Sequence, residues 1–365
     1  MDRKDFDPDG VGVDNGNYFG FPFTEEDARL VLLSVPWDVT ASYGGGAAFG
    51  PDAIIEASTQ LDFYDPMSPG AWKKGVATVP IDYSVQDRSA RLRPDAKKIM
   101  ESLQEGGIAF EDYLMPRRLE RINTASAELN RTVYEAAAER LDAGHVVGLV
   151  GGDHSTPLGL IRALAEREPG MGVLHLDAHC DLRRAYEGFD YSHASIMYNV
   201  LQEAPGVAKI VQVGQRDYSE EEYRLALSSP RIELFDDFSL CGRRFAGETW
   251  NAICDSIVVR LPEKVYVSFD IDVLSVEYCP STGTPVAGAH LQRGALAGRP
   301  HCGRRPPYRG IRPVRGCSRT RRYHGCQRRG EGAVPALRNG VEDELTDLLT
   351  VWNGDCHGLF IRLRL

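Results

Sequence analysis

Val146-Val147-Gly148-Leu149-Val150 runs straight into Gly151-Gly152-Asp153-His154-Ser155, and that junction decides the fold. Two further apolar runs have the same sequel. Val173-Leu174-His175-Leu176 leads into Asp177-Ala178-His179-Cys180-Asp181, and Val265-Tyr266-Val267-Ser268-Phe269 leads into Asp270-Ile271-Asp272. Near-continuous apolar strands mark a parallel sheet buried on both faces. Helical spacing lies between such runs: Ser126 to Ala143 precedes the first through Gly144, and Thr156 to Glu168 returns to the second. Further out, Leu30 to Val35 and Lys209 to Gly214 read as strands. Helices are expected from near Asp52, over Asp95 to Leu103 and over Glu220 to Leu227. The alternation predicts an α/β protein with one doubly wound parallel sheet.

In such sheets ligands gather at the carboxyl ends of the strands, where the three polar blocks fall. In an extended chain, residues i, i+2 and i+4 point the same way. The spacing therefore sets Asp177, His179 and Asp181 on one side, and pairs Asp270 with Asp272. A single Asp-x-His is usually a solvated loop, but three such blocks after apolar runs point to metal. Four Asp and two His, counting His154, suit a pair of Mn²⁺ ions better than a structural zinc, which would favour cysteine. The alternation turns Cys180 to the opposite face, as a core residue. Asp153 and Ser155 read as supports for the His154 loop, and His145 and His175 as structural.

Gly-Gly-Asp-His-Ser, Asp-Ala-His-x-Asp and Ser-Phe-Asp-Ile-Asp, in this order, resemble the ureohydrolases, the family of arginase and agmatinase. Val35-Pro36-Trp37-Asp38 with Phe49-Gly50-Pro51-Asp52-Ala53-Ile54 resembles the family's N-terminal signature, and Cys279-Pro280-Ser281-Thr282-Gly283-Thr284-Pro285 the segment after its last metal ligands. A metallophosphoesterase also uses Asp-x-His, but its Gly-Asn-His block follows rather than precedes. The resemblance implies an arginase-type fold over residues 29–288 and two Mn²⁺ bridged by Asp177 and Asp270. His154 and Asp181 would complete one sphere, and His179 and Asp272 the other. It also implies that Asp181 holds the attacking hydroxide and that His193, in Tyr191-Ser192-His193-Ala194-Ser195, shuttles protons. The same block is more like agmatinase than arginase, so the expected reaction converts agmatine to putrescine and urea. Guanidinobutyrate, arginine and formimidoylglutamate are the rival substrates. The resemblance further implies a homo-oligomer, trimer or hexamer. There are two departures. Ser275-Val276 replaces the family's Asp-Pro, and its guanidinium-binding Glu would fall at Arg315, a cation that would repel the substrate.

The chain has 365 residues with 42% hydrophobic content, enough for a substantial core. Residues 1–28 read as a polar arm with no signal-peptide core, and no transmembrane run follows. Eight cysteines without framework spacing fit a reducing cytoplasm. Gly44-Gly45-Gly46 lacks the Lys-Ser/Thr of a phosphate cradle. The formal charge is −10, but it is unevenly spread. Residues 289–340 hold thirteen Arg and one acid, Glu331, leaving 29 basic and 51 acidic residues elsewhere, a net of −22. That acidic body disfavours nucleic acid and favours a small cationic guanidino substrate.

Residues 289–340 show neither strand alternation nor a helical stripe. One reading is an Arg-rich, disordered or nucleic-acid-binding segment. The other is translation in a shifted frame. With permissible codons and a one-base shift, Pro307 to Thr320 and Gly325 to Asn339 can yield segments resembling the family's C-terminal strand and closing helix. The shifted frame is preferred. A catalytically dead metal-binding homologue with an interaction tail is the alternative from another class. Residues 341–365 stay unassigned.

Overall fold

Every residue of Val146–Gly151, Met171–Leu176 and Val265–Asp270 is buried, as strands covered on both faces must be. The computed structural model describes residues 3–64, 69–106, 114–288 and, as backbone, 349–353. The expectations for residues 289–340, Arg315 included, lie outside the described residues. The strands are β1 (Leu30–Val35), β2 (Val76–Thr78), β3 (Val146–Gly151), β4 (Met171–Leu176), β5 (Val207–Val213), β6 (Ile232–Phe235), β7 (Val265–Asp270) and β8 (Leu349–Asn353). They form one sheet in the order β2-β1-β3-β8-β7-β4-β5-β6, parallel at every pairing. The chain thus passes from β3 over two positions to β4, and a doubly wound sheet binds ligands at such a switch point.

Alternation within the strands divides the core between two faces. Met171 and Val173 of β4, Ile210 of β5 and Tyr266 of β7 join a cluster with helices α3 (Leu114–Asp142), α4 (Leu158–Arg167) and α5 (Ile196–Glu203). Leu174, Leu176, Val211, Val213, Val267 and Phe269 face the other way. There they meet Leu240 of α7 (Asp237–Phe245) and Ile253, Cys254 and Ile257 of α8 (Trp250–Val258). The expected sheet with helices on both faces is the one observed.

Several boundaries differ from the sequence reading. α1 spans Gly50–Ser58 and α6 Glu220–Ser228, but α2 runs from Tyr83 to Gln104, straight through Pro94, rather than starting at Asp95. α3 begins at Leu114 rather than Ser126. Its N-terminal stretch is charged, and its buried face starts only at Ile122. The short strands β2 and β6 carried too few residues to read. β8 arises from the segment left unassigned and pairs with Leu149 and Val150 of β3 and with Tyr266 to Asp270 of β7.

The polar reading of the arm needs correcting. Tyr18, Phe21 and Phe23 are buried. Phe21 lies 4.7 Å from Phe63 and Phe6 lies 5.4 Å from Trp72, ring centre to ring centre. Sparse aromatic anchors among Gly, Asn and Asp tie this segment to the core.

Among the described residues, no helix is long and apolar enough to cross a membrane.

Candidate metal centre and its cleft

All six expected ligands come from the carboxyl edge of the sheet: His154 follows β3; Asp177, His179 and Asp181 follow β4; Asp270 ends β7 and Asp272 follows it. The Gly-Gly turn that delivers His154 is forced. A Cβ on Gly152 would stand 2.2 Å from the Trp37 carbonyl oxygen and 2.6 Å from that of Val35. The amide of Asp153 donates to the same Trp37 carbonyl at 2.7 Å. The loop is therefore clamped to the end of β1.

Turns rather than strand alternation complete the other two blocks. Asp181 has φ +54°, a left-handed conformation that Asp tolerates better than most residues. Its carbonyl accepts the Met197 and Tyr198 amides at the start of α5, at 3.0 and 3.1 Å, so the reversal is held by the helix. Asp272 sits in a single 3₁₀ turn, Ile271–Val273, where the Asp270 carboxylate accepts the Asp272 amide at 3.0 Å. The blocks nonetheless converge. His154 Nδ1 lies 2.9 Å from Asp177 Oδ2, 3.0 Å from Asp181 Oδ2 and 3.3 Å from Asp270 Oδ2. His179 Nδ1 lies 2.9 Å from Asp272 Oδ2 and 3.5 Å from Asp177 Oδ1.

These atoms form two groups. Donor atoms of His154, His175, Asp177 and Asp181 lie within 4.8 Å of one another, as do those of Asp177, His179 and Asp272. Asp177 belongs to both, and Asp270 borders the first through His154. Among the described residues, buried His154 Nδ1 finds no hydrogen-bond partner of adequate geometry, although three carboxylate oxygens surround it. On its other side, Nε2 lies 2.8 Å from Ser268 Oγ. An imidazole anchored at one nitrogen and aiming the other into carboxylates is the arrangement of a metal ligand.

Electrostatics agree. Burial opposes charge on both imidazoles, yet the approach of Asp177, Asp181 and Asp270 holds His154 well above its ordinary value. Asp272 and Asp177 likewise push His179 up to about 12. Burial and the charge of Asp177 raise Asp181 to about 6 and, with Asp270, hold Asp272 well above the carboxylate range. Two imidazoles that cling to protons and two carboxylates that resist ionising mark a pocket with more negative charge than it can carry. Divalent cations would supply the missing countercharge.

A cleft of about 440 Å³ reaches this cluster, and Ser42, Tyr43, Asp153, His193, Asp270, Asp272 and Thr284 are among its lining. His193 is thereby placed with the expected ligands. Its amide donates to Thr40 Oγ1 at 3.3 Å, and burial, helped by the positive His179, lowers its imidazole to about 4. Asp153 accepts from the Ser155 amide at 2.9 Å and from Thr40 Oγ1 at 3.4 Å, so it braces the His154 loop. Cys180 is buried and its thiol pushed up, chiefly by burial. His145 Nδ1 lies 3.2 Å from the Ala28 carbonyl oxygen, away from the cluster. Sequence reasoning overlooked Ser268 and Thr284, the latter donating to Asp272 Oδ2 at 3.4 Å. Ser268 was visible as the one serine in an apolar run.

A carboxylate-rich, imidazole-flanked cluster on the carboxyl edge of a parallel sheet, open to a cleft, defines a metal-dependent α/β hydrolase. The arginase family model matches residues 28–297, and the chain belongs to that family. It is an agmatinase-like ureohydrolase. It is 32% identical to the N(1)-aminopropylagmatine ureohydrolase of Thermus thermophilus over 265 residues, which cover 72% of this chain and 74% of the relative. It is 26% identical to an agmatinase of Bacillus anthracis over 276 residues, 74% and 77% of the two chains. The fold is shared with the agmatine ureohydrolase of Thermoplasma volcanium, at TM-score 0.53, 20% identity and 78% coverage of each chain. It is also shared with the proclavaminate amidinohydrolase of Streptomyces clavuligerus, at TM-score 0.53 and 23% identity, covering 76% and 81%.

Proposed function

We propose that this protein hydrolyses the guanidinium group of agmatine to putrescine and urea, using two Mn²⁺ ions. The observation that carries this reading is the convergence of three carboxylate oxygens on His154 Nδ1, beside a second group that shares Asp177. Asp177 and Asp270 would bridge the ions, His154 and Asp181 would complete one sphere, and His179 and Asp272 the other. When bound, such a pair acidifies a shared water and supplies hydroxide near neutral pH.

The remaining tasks fall to this chain's side chains. Asp181, buried in the cluster, would accept a hydrogen bond from the attacking water. His193, kept neutral, can take up a proton released by the attacking water and hand it to the leaving amine from the wall. Outside residues 289–340 the net charge of −22 attracts a substrate carrying a guanidinium and an amine.

The 32% identity to an N(1)-aminopropylagmatine ureohydrolase, against 26% to an agmatinase, favours that longer amine as the second candidate. Either product enters polyamine synthesis. Free thiols at Cys180 and Cys241, among the described residues, suit a cytoplasmic enzyme. The trimer or hexamer implied by resemblance is open to light scattering.

The test is urea release from Mn²⁺-loaded protein with agmatine, N(1)-aminopropylagmatine, arginine and guanidinobutyrate. The two agmatine-type amines should be cleaved fastest. No urea from any of them, with metal bound, would overturn the proposal and favour the inactive homologue that Arg315 implies. Asp177→Ala should lose both ions, and retention of both would refute the bridging role.

A further inference from the structure

His175 lies at the edge of the metal cluster without a role in the reading above. It is fully buried on β4, its Nε2 2.8 Å from Asp177 Oδ2 and its Nδ1 3.0 Å from Gln212 Nε2. Distance alone would allow Nε2 to be a metal ligand, but the hydrogen bonds exclude it. Gln212 Nε2 is also 2.7 Å from the Cys180 carbonyl oxygen, which can only accept. Turning the amide over would set Oε1 against that carbonyl, so the amide nitrogen must face it. The nitrogen's second hydrogen then points at His175 Nδ1, making Nδ1 an acceptor. The ring proton therefore sits on Nε2 and is directed at Asp177 Oδ2. The cost is visible. Among the described residues, buried Gln212 Oε1 has no partner.

We propose that His175 is a positioning residue for the metal centre. Locked as the Nε2–H tautomer by Gln212 and the Cys180 carbonyl, it donates to Asp177 Oδ2 and leaves the other lone pairs of that carboxylate for the two cations. Gln212 on β5 thus sets, through His175, the orientation of a candidate bridging ligand that follows β4. The inference rests on Asp177 being a metal ligand, as proposed above.

Manganese titration of the full chain, followed by calorimetry and by the EPR signal of free Mn²⁺, tests it. His175→Leu keeps bulk but loses the donor, and its affinity should fall roughly ten- to a hundredfold. His175→Gln, whose amide nitrogen can occupy the position of Nε2, should recover most of that loss. Equal affinity in wild type and His175→Leu, or no recovery in His175→Gln, would overturn the role. If His175→Leu fails to fold, ¹⁵N shifts of histidine-labelled wild type decide instead, because a proton on Nδ1 of His175 excludes the proposal. Failure of the wild type to bind Mn²⁺ at all would sink the metal reading itself, whereas an unchanged His175→Leu would sink this inference alone.

Discussion

Ser268 Oγ stands 2.8 Å from His154 Nε2, and both side chains are buried. With a cation on Nδ1, as proposed above, Nε2 carries the ring proton and the Ser268 hydroxyl accepts it. Strand β7 thereby orients a ligand that β3 supplies. Ser268→Ala should lower Mn²⁺ affinity about ten- to a hundredfold, measured by calorimetry, with little change in melting temperature. Undiminished affinity would show that the ring is oriented by packing alone.

His193 faces the cleft but stands apart from both ligand groups. His193→Asn should therefore retain its metal. Loss of a proton-transfer group should lower kcat by roughly 10²- to 10⁴-fold with a smaller effect on KM. Metal content by mass spectrometry and steady-state urea release check this together. An unaltered kcat would remove His193 from the reaction.

Asp153 offers a dependence on pH. Burial first, with the nearby Asp38 charge adding, raises its carboxyl from 3.8 to about 6 despite the bonds from Ser155. Between those values the unfolded chain gives up its proton while the metal-free folded protein keeps it. Stability accordingly falls as pH rises through the window. Asp153→Asn keeps the acceptor for Ser155 and removes the ionisation. Relative to wild type, metal-free Asp153→Asn should gain on the order of 3 kcal/mol between pH 4 and 7. Denaturant melts in chelator at several pH values would show it, and parallel curves for the two proteins would contradict it.

Gly152 tests the clamp on the His154 loop. The contacts awaiting a Cβ there are the carbonyls of Trp37 and Val35, backbone atoms that cannot swing aside. Gly152→Ala should cost about 3 kcal/mol, the upper end for overpacking, and should weaken metal binding by displacing His154. Normal stability with normal metal affinity would mean that the turn relaxes freely.

The sheet was legible because β3, β4 and β7 are buried on both faces, which leaves an unbroken apolar signature. The candidate ligands were legible for a related reason, since each follows such a run. Their geometry was not. Alternation was expected to aim Asp177, His179 and Asp181, whereas a left-handed turn at Asp181 and a 3₁₀ turn at Asp272 do much of the aiming. A turn held by the start of a distant helix leaves no periodic trace. His175 and Gln212 were equally hidden, because a hydrogen bond between neighbouring strands depends on register, which no single strand records. Pro94 concealed half of α2, since a proline reads as a helix start until packing shows that the helix tolerates it.

β8 carries none of the expected ligands, yet it lies between the strands that deliver His154 and Asp270. Those strands are two sheet spacings apart, about 10 Å, and the strand that fixes the gap comes from residues 349–353, near the end of the sequence. During synthesis every candidate metal ligand therefore emerges well before the strand that sets their separation. A nascent chain held short of β8 would contain the whole donor set without its spacer. The gap between the strands that lead to His154 and Asp270 is thus closed by a strand made after both of them.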